Sequence, residues 1–244
     1  MKENKYDEAQ FFEAYSHFPR SEQGLAAAGE WHELEKLLPD FKGKRVLDIG
    51  CGFGWHCRYA AEKGAKTVLG TDISQKMLAA AREKTPCGNV EYRCVAMEDL
   101  DFQPQAFDVV LSSLALHYTP DYAGLCARVW QWLAPGGAFI FSMEHPVFTA
   151  QGTQDWCHGA DGERLHWPVD RYFDEGRRDA VFLGQPVVKY HRTLTTTLGA
   201  LWQAGFAVKA VVEPQPPARM LAAAAEMQDE GRRPMMLLVA AEKP

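Results

Sequence analysis

The run Val46-Leu47-Asp48-Ile49-Gly50-Cys51-Gly52-Phe53-Gly54 sets an apolar β-type stretch against three alternating glycines, and helix-forming residues follow at once. A strand that turns tightly into a helix is the opening unit of a parallel α/β layer. Glycines at the turn let the chain bend sharply and approach a ligand with no Cβ in the way. Their spacing separates ligand classes. The dinucleotide fingerprint Gly-x-Gly-x-x-Gly fails in both registers, because Trp55 and Cys57 stand where the third glycine would be. Asp48 would also repel a pyrophosphate placed at the turn. No Gly-Lys-Ser/Thr follows, so the phosphate-loop pattern fails too. A ligand with a cationic amino group and no phosphate suits an acid at position 48.

Outward from this turn, apolar β-type runs alternate with helical patterns. Arg45 to Ile49 reads as the first strand, and Trp55 to Lys63 as a helix stopped by Gly64. Thr67 to Asp72 is a second strand, and a helix capped by Ser74 runs through Lys84. Val90 to Val95 and Phe107 to Ser112 are the next two strands. A helix from Asp121 carries Leu125, Val129 and Leu133 on its apolar face and closes at Pro135-Gly136-Gly137, before a fifth strand from Ala138 to Met143. Upstream, Ser21 to Leu38 reads as an amphipathic helix stopped by Pro39. Downstream, the rhythm breaks from Pro146 to about Pro186. It resumes with a helix over Thr195–Ala204, a strand after Gly205-Phe206, a helix from near Pro217 to Gly231 and a strand from Met235 to Ala241. Short apolar strands alternating with helices predict a parallel sheet covered on both faces. We expect one domain over residues 1–244, with a helical N-terminal segment 1–40 and a lid-like insertion at about 147–190.

Composition narrows the partners. The chain has 244 residues, 47% of them hydrophobic, which allows one sizeable core. Twenty-six basic against 32 acidic residues leave a net charge of -6, which offers no electrostatic footprint for nucleic acid. The densest basic spots, Arg177-Arg178 and Arg232-Arg233, read as solvated faces. The six cysteines form no Cys-x-x-Cys pair, and Cys51, His56 and Cys57 match no common zinc spacing, so no metal is expected. The polar start and the absence of a bilayer-length apolar run point to a reduced, cytoplasmic protein with no membrane partner. Oligomeric state is not legible.

Asp72 ends the second strand in Leu69-Gly70-Thr71-Asp72. A carboxylate there can accept hydrogen bonds from both ribose hydroxyls, the alternative being an Asx turn ahead of Ser74. From Val46 to Ser142 the sequence resembles the class I S-adenosylmethionine (SAM)-dependent methyltransferases acting on small molecules, of the methyltransferase type 11 kind. The resemblance rests on the glycine turn, Gly70-Thr71-Asp72-Ile73-Ser74, Glu98-Asp99-Leu100, Phe107-Asp108-Val109-Val110 and Leu133-Ala134-Pro135-Gly136-Gly137, in that order. It implies a Rossmann-like doubly wound sheet of about seven strands, mostly parallel with an antiparallel C-terminal strand, and helices on both faces. It also implies roles: Asp48, Gly50, Cys51, Gly52 and Gly54 toward the methionine part of SAM, Asp72 on the ribose, and Ile73 and Met97 around adenine. Glu98 would lie near the adenine amino group, and Ser113 and Leu114 beside the methionine moiety. Many relatives carry Asp where this chain has Ala96. The Asn/Asp-Pro-Pro-aromatic and Pro-Cys motifs of nucleic-acid methyltransferases do not match Leu111-Ser112-Ser113-Leu114-Ala115.

Methyl transfer needs an acceptor held in line with the sulfonium, and a general base if the acceptor is a hydroxyl or a protonated amine. Candidates are His117 after the fourth strand, Glu144 and His145 after the fifth, and His191, all expected near the C-terminal edge of the sheet. Structural alternatives stand beside them: His117 packed against the cofactor, His145 in a turn, Glu144 paired with Arg192. Trp156, Trp167, Tyr172 and Phe173 in the insertion suggest a lid over an acceptor pocket, or a local cluster that only anchors the loop. Tyr6, Phe11, Phe12, Tyr15 and Phe18 would close the other side. Two other functions fit less of the sequence: a non-catalytic SAM-binding regulatory protein of the same fold, and a nicotinamide-dependent oxidoreductase.

Overall fold

Three short helices, α1 (Ala9–Ser16), α2 (Pro19–Gln23) and α3 (Trp31–Leu37), precede the first strand in the computed structural model, which describes residues 4–223 and 225–244. The expected single helix over 21–38 is therefore broken. Its break is at Gly24, where a Cβ would lie 2.8 Å from the Trp55 ring, so the chain passes against that indole only with glycine there. β1 (Arg45–Ile49), α4 (Trp55–Glu62), β2 (Thr67–Asp72), α5 (Gln75–Lys84), β3 (Val90–Cys94) and β4 (Phe107–Ser113) follow as expected to within a residue. Caps read from the sequence are formed: Ser74 accepts the Met77 N–H, and Asp121 accepts that of Gly124 at the start of α6 (Tyr122–Trp132).

β5 (Leu133–Glu144) starts five residues earlier than the apolar run suggested, and Leu133 is its first residue rather than part of the helix face. The segment after it is not irregular. It holds α7 (Pro146–Thr149), a small hairpin of β6 (Cys157–His158) and β7 (Arg164–His166), and a seven-residue hairpin of β8 (Gly176–Phe182) and β9 (Gln185–His191). Leu183 and Gly184 join β8 to β9 with φ of 51° and 72°. Positive φ at both central residues matches the twist of two-residue hairpins. β8 runs from the charged Arg177-Arg178-Asp179 into the apolar Ala180-Val181-Phe182, a block pattern that hid its strand period. α8 (Leu194–Ala204), β10 (Ala207–Val212) and β11 (Met236–Glu242) complete the layer. Between the last two strands lie two one-turn helices, α9 (Ala218–Leu221) and α10 (Ala225–Gln228), and a 3-10 turn over Asp229–Arg232, where one helix over 217–231 was expected; residue 224 lies outside the described residues.

The seven-stranded sheet has the order β10-β11-β5-β4-β1-β2-β3. Pairs β1–β2, β2–β3, β1–β4 and β4–β5 are parallel, and β11 is antiparallel to both its neighbours. This is the Rossmann-like arrangement implied by the resemblance. Strand side chains alternate between two cores: Leu47, Ile49, Val110, Phe139 and Phe141 pack under α6 and α8, while Val46, Val109, Leu111 and Ile140 meet Leu34, Cys57, Ala60 and Leu78 of α3, α4 and α5. The chain winds one way from β1 to β3 and the other way from β4 to β5. The crevice therefore opens at the carboxyl ends of β1 and β4, where doubly wound sheets bind ligands. No helix of the described residues is long and apolar enough to cross a membrane.

Candidate functional site

The glycine turn sits at that crevice. Gly50, Gly52 and Gly54 have φ of 69°, 52° and 73°. The Gly50 and Cys51 amides both donate to the Thr71 carbonyl, at 2.8 and 2.9 Å, and the Gly52 amide donates to Asp72 Oδ2 at 2.9 Å. The end of β2 thus holds the turn in shape. Asp72 Oδ1 accepts the Ser74 amide at 2.8 Å, so the residue makes the Asx turn and still lines the crevice; burial raises its carboxyl, partly offset by these amides. Asp48 is 1% exposed. Its Oδ2 accepts the Cys57 thiol at 3.2 Å, and its Oδ1 is buried without a partner. Burial pushes its carboxyl up to about 7, Cys57 counters this, and Asp72 adds to it. An unpartnered buried carboxylate oxygen beside a glycine turn fits a ligand's ammonium group, because that charge would restore the partner that burial removed.

The remaining residues read as cofactor contacts lie around the same edge. Ile73 is half-buried between β2 and α5, and Met97 and Glu98 form a half-buried 3-10 turn after β3. Ser113 ends β4, its hydroxyl 3.1 Å from that of Ser142. Leu114 follows at φ 52°, a conformation that costs a branched side chain energy, and its amide is held by the Ser142 carbonyl at 2.9 Å. Asp108, from the fourth-strand motif, points the other way and holds Arg45 at the opposite end of the sheet.

The N-terminal segment crosses this edge. Asp7 accepts the Ser74 hydroxyl at 2.6 Å and the Lys76 amide at 3.1 Å, which fastens the segment to the start of α5. Phe12 and Tyr15 pack edge-on against Phe53 of the glycine turn, and the Tyr6 hydroxyl lies 3.3 Å from that of Tyr118 after β4. On its far side the segment meets the β8–β9 hairpin: Phe11 clusters with Ala180 and Val187, and Phe182 packs on Phe11, Tyr15 and Phe18. Segment and hairpin together roof the ends of β4 and β5.

Beneath that roof lies a buried polar group that the sequence reading assembled only in part. Glu144, at the end of β5, pairs with Lys189 of β9 at 2.5 Å rather than with Arg192. Gln154 bridges them, donating to Glu144 Oε2 at 2.8 Å and accepting from Lys189 Nζ at 2.9 Å. Burial raises the Glu144 carboxyl, but His117, Lys189 and Gln154 outweigh it and leave it lowered. His117 is buried beside it, and burial above all pushes the ring down to about 4. Its Nδ1 accepts the Glu144 amide at 3.4 Å, so the neutral ring carries its proton on Nε2. Arg192 instead donates to the carbonyls of Thr119 and Tyr190 and lies 5.3 Å over the Tyr122 ring.

The other two histidines are tied up. His145 caps α7 through Nδ1, which accepts the Val147 amide at 3.0 Å, and its Nε2 lies 2.8 Å from Glu213. His191 spans the Thr149 hydroxyl and the Tyr172 carbonyl, each at 2.8 Å. Neither ring offers a free lone pair to an acceptor. Of the insertion's aromatics, Trp156 and Trp167 pack with one another and with Phe148, and Phe173 is 89% exposed. Arg233 was expected on a solvated face, yet its side chain is 6% exposed and lies 4.4 Å over Trp167 and 4.7 Å over Phe148. Among the described residues no group of three or more His, Cys, Asp or Glu could hold a metal ion. Sequence reading missed Lys189 and Gln154. The alternation Val187-Lys189-His191 facing inward on β9 was the available signal for the first; Gln154 had none.

Comparison with known proteins places this geometry in a lineage. A methyltransferase-domain family model matches residues 47–141. The crystal structure of a proposed SAM-dependent methyltransferase from Listeria monocytogenes is 56% identical and superposes with a TM-score of 0.86, over 91% of this chain and 99% of that one. A SAM-dependent methyltransferase from Mesorhizobium loti is 46% identical, with a TM-score of 0.83 over 90% and 100% of the two chains. An uncharacterized Haemophilus influenzae protein is 34% identical over 98% of this chain and 96% of its own length.

Proposed function

This chain belongs to the class I SAM-dependent methyltransferases, and from that premise we propose that its acceptor is a small molecule with an oxygen or nitrogen nucleophile, held under the roof of the N-terminal segment and the β8–β9 hairpin. The chain is an enzyme with SAM as its cofactor. The observation that carries the reading is the pair Asp48 and Asp72 at the ends of adjacent strands, one with an orphaned buried oxygen and both bordering the glycine turn. When bound, SAM supplies an electrophilic methyl group on a positively charged sulfur. Asp48 would hold the amino group, Asp72 the ribose, Ile73, Met97 and Glu98 the adenine end, and Gly50, Cys51, Gly52, Gly54, Ser113 and Leu114 the methionine end. Proximity and orientation contribute on the order of 7–11 kcal/mol to such a step.

The protein's own groups beneath the roof position the acceptor more than they deprotonate it. His117 presents an Nε2–H donor, and Glu144, ionised against Lys189, is a weak base. His145 and His191 hold backbone. The acid-rich charge balance supports a small-molecule acceptor over nucleic acid, and the cysteine usage supports a cytoplasmic setting.

The test is calorimetric. Asp72→Ala should weaken S-adenosylhomocysteine binding well over tenfold, since hydrogen bonds to a charged group contribute roughly 1.5–3 kcal/mol each. A folded variant with unchanged affinity would move the ribose site elsewhere. A pH dependence follows from Asp48, which is faced by Cys57, Cys51, Asp72 and Tyr92. An ammonium ligand binds the ionised carboxylate, so affinity should be full above about pH 7 and fall as the pH drops through that value and the group takes a proton. Asp48→Asn should remove the dependence along with most of the affinity; a pH-independent wild type between pH 6 and 8 would take Asp48 out of the site.

A further inference from the structure

Cys57 belongs to none of the motifs that mark the family. It sits on the first turn of α4, fully buried. Its thiol donates to Asp48 Oδ2 at 3.2 Å, while Asp48 Oδ1 has no partner. Room for the sulfur is made on the neighbouring strand. Gly70 stands opposite Asp48 in the pairing of β1 with β2, and a Cβ there would lie 2.8 Å from Cys57 Sγ and 2.7 Å from the Tyr92 ring. The missing side chain lets the thiol reach the carboxylate, and Tyr92, packed against both Gly70 and Gly54, closes the same space. Burial first, then the neighbouring Cys51 thiol and Asp48, hold the Cys57 thiol well above its ordinary value, so it stays protonated and serves as a donor. The other titratable groups facing Asp48 are Cys51 of the turn, Asp72 of β2 and Tyr92 of β3, while β4 sets Leu111 beside it. Among the described residues, the Cys57 thiol is the side-chain donor that meets this carboxylate.

We propose that Cys57 is a positioning residue for the cofactor's ammonium group: its thiol fixes the Asp48 carboxylate through Oδ2 and leaves Oδ1 to the ligand. The inference rests on the reading of Asp48 as the ammonium partner. An S–H group is a weak donor. A charged donor would neutralise the carboxylate before the ligand arrives, and no donor at all would leave a buried charge that takes up a proton instead. The thiol lies between these cases. It favours the ionised form without supplying the charge that the ammonium group brings. Cys57 therefore sets the pH below which Asp48 carries a proton that cofactor binding has to displace.

The test is the pH profile of S-adenosylhomocysteine binding, measured by calorimetry from about pH 6 to 9 on the wild type, Cys57→Ala and Cys57→Ser. Thermal unfolding establishes that each variant folds. Removing the donor raises the Asp48 carboxyl, so the alanine variant should lose affinity at a pH about one unit above the wild-type midpoint. Its affinity should be down roughly fivefold at pH 7 and return to the wild-type value as the pH rises. Taking each affinity as a ratio to the wild type cancels the titration of the ligand's own amine. Cys57→Ser keeps a donor, and its midpoint should stay at or below that of the wild type. A merely structural role would lower affinity by the same factor at every pH. An unmoved alanine midpoint, or a serine midpoint raised as far as the alanine one, overturns the proposal. If the alanine variant does not fold, Cys57→Val, which fills the sulfur's space without a donor, takes its place beside the serine variant. A wild type whose affinity is constant over this range takes Asp48 out of the site, and this inference with it. A wild-type profile that responds to Asp48→Asn and to neither Cys57 variant defeats this inference alone.

Discussion

Lys189→Met should destabilise the protein by about 3–5 kcal/mol, because it removes the ammonium that pairs with the buried Glu144 carboxylate and leaves it, among the described residues, the Gln154 amide as its side-chain hydrogen-bond donor. For a chain of this size that is a fall in melting temperature on the order of 10 °C. Glu144→Gln should do comparable damage from the other side by orphaning the buried ammonium. The double variant Lys189→Met/Glu144→Gln removes both charges and should recover much of the loss, since a neutral pair of similar volume spares both desolvation terms. Urea unfolding of the two single variants and the double variant gives the coupling directly. Additive single losses would mean the two groups do not depend on one another, and the roof hairpin would then be held by its apolar contacts alone.

Gly52→Val and Gly50→Ala should fail in different ways. At Gly52 an added Cβ meets only the flexible end of Met77, at 3.3 Å, so the cost is the strained φ of 52° and the obstruction of the crevice. The valine variant should fold with reduced stability and lose measurable S-adenosylhomocysteine binding. At Gly50 a Cβ would stand 2.4 Å from that of Ala115, on the segment after β4, with φ at 69°. No rotamer relieves a contact between two Cβ atoms, so even alanine there must push the two strand ends apart. Gly50→Ala should therefore unfold or destabilise the sheet edge, visible in thermal melting before any ligand is added. Full-affinity binding by a folded Gly52→Val variant would remove the turn from the cofactor site. Normal melting by Gly50→Ala would show that the β4 end yields where the packing says it cannot.

What could be read from residues alone was whatever is governed by neighbours in the chain. The strands β1 to β4 and the caps at Ser74 and Asp121 follow from local apolar runs and from side chains that bond amides two or three residues on. The glycine turn and Asp72 were equally legible, because glycine spacing and a strand-end acid act within one βα unit. The hairpin β8–β9 escaped because β8 sets a charged block, Arg177 to Asp179, before an apolar one, Ala180 to Phe182, without alternation, and its turn, Leu183-Gly184, is marked by a single glycine. Glu144 was read as one half of a buried ion pair, but with the wrong partner: Arg192 was the expected cation, and the fold brings Lys189 of β9 to Glu144 while Arg192 turns to the Thr119 carbonyl. The histidines were legible as candidates only. Whether a ring nitrogen is free depends on the Glu144 and Val147 amides, the Thr149 hydroxyl and the Tyr172 carbonyl, groups that tertiary folding brings to each ring. Local pattern determined the layer and the glycine turn at its edge; long-range packing decided which side chains meet beneath the roof, because burial and pairing there belong to contacts between distant segments.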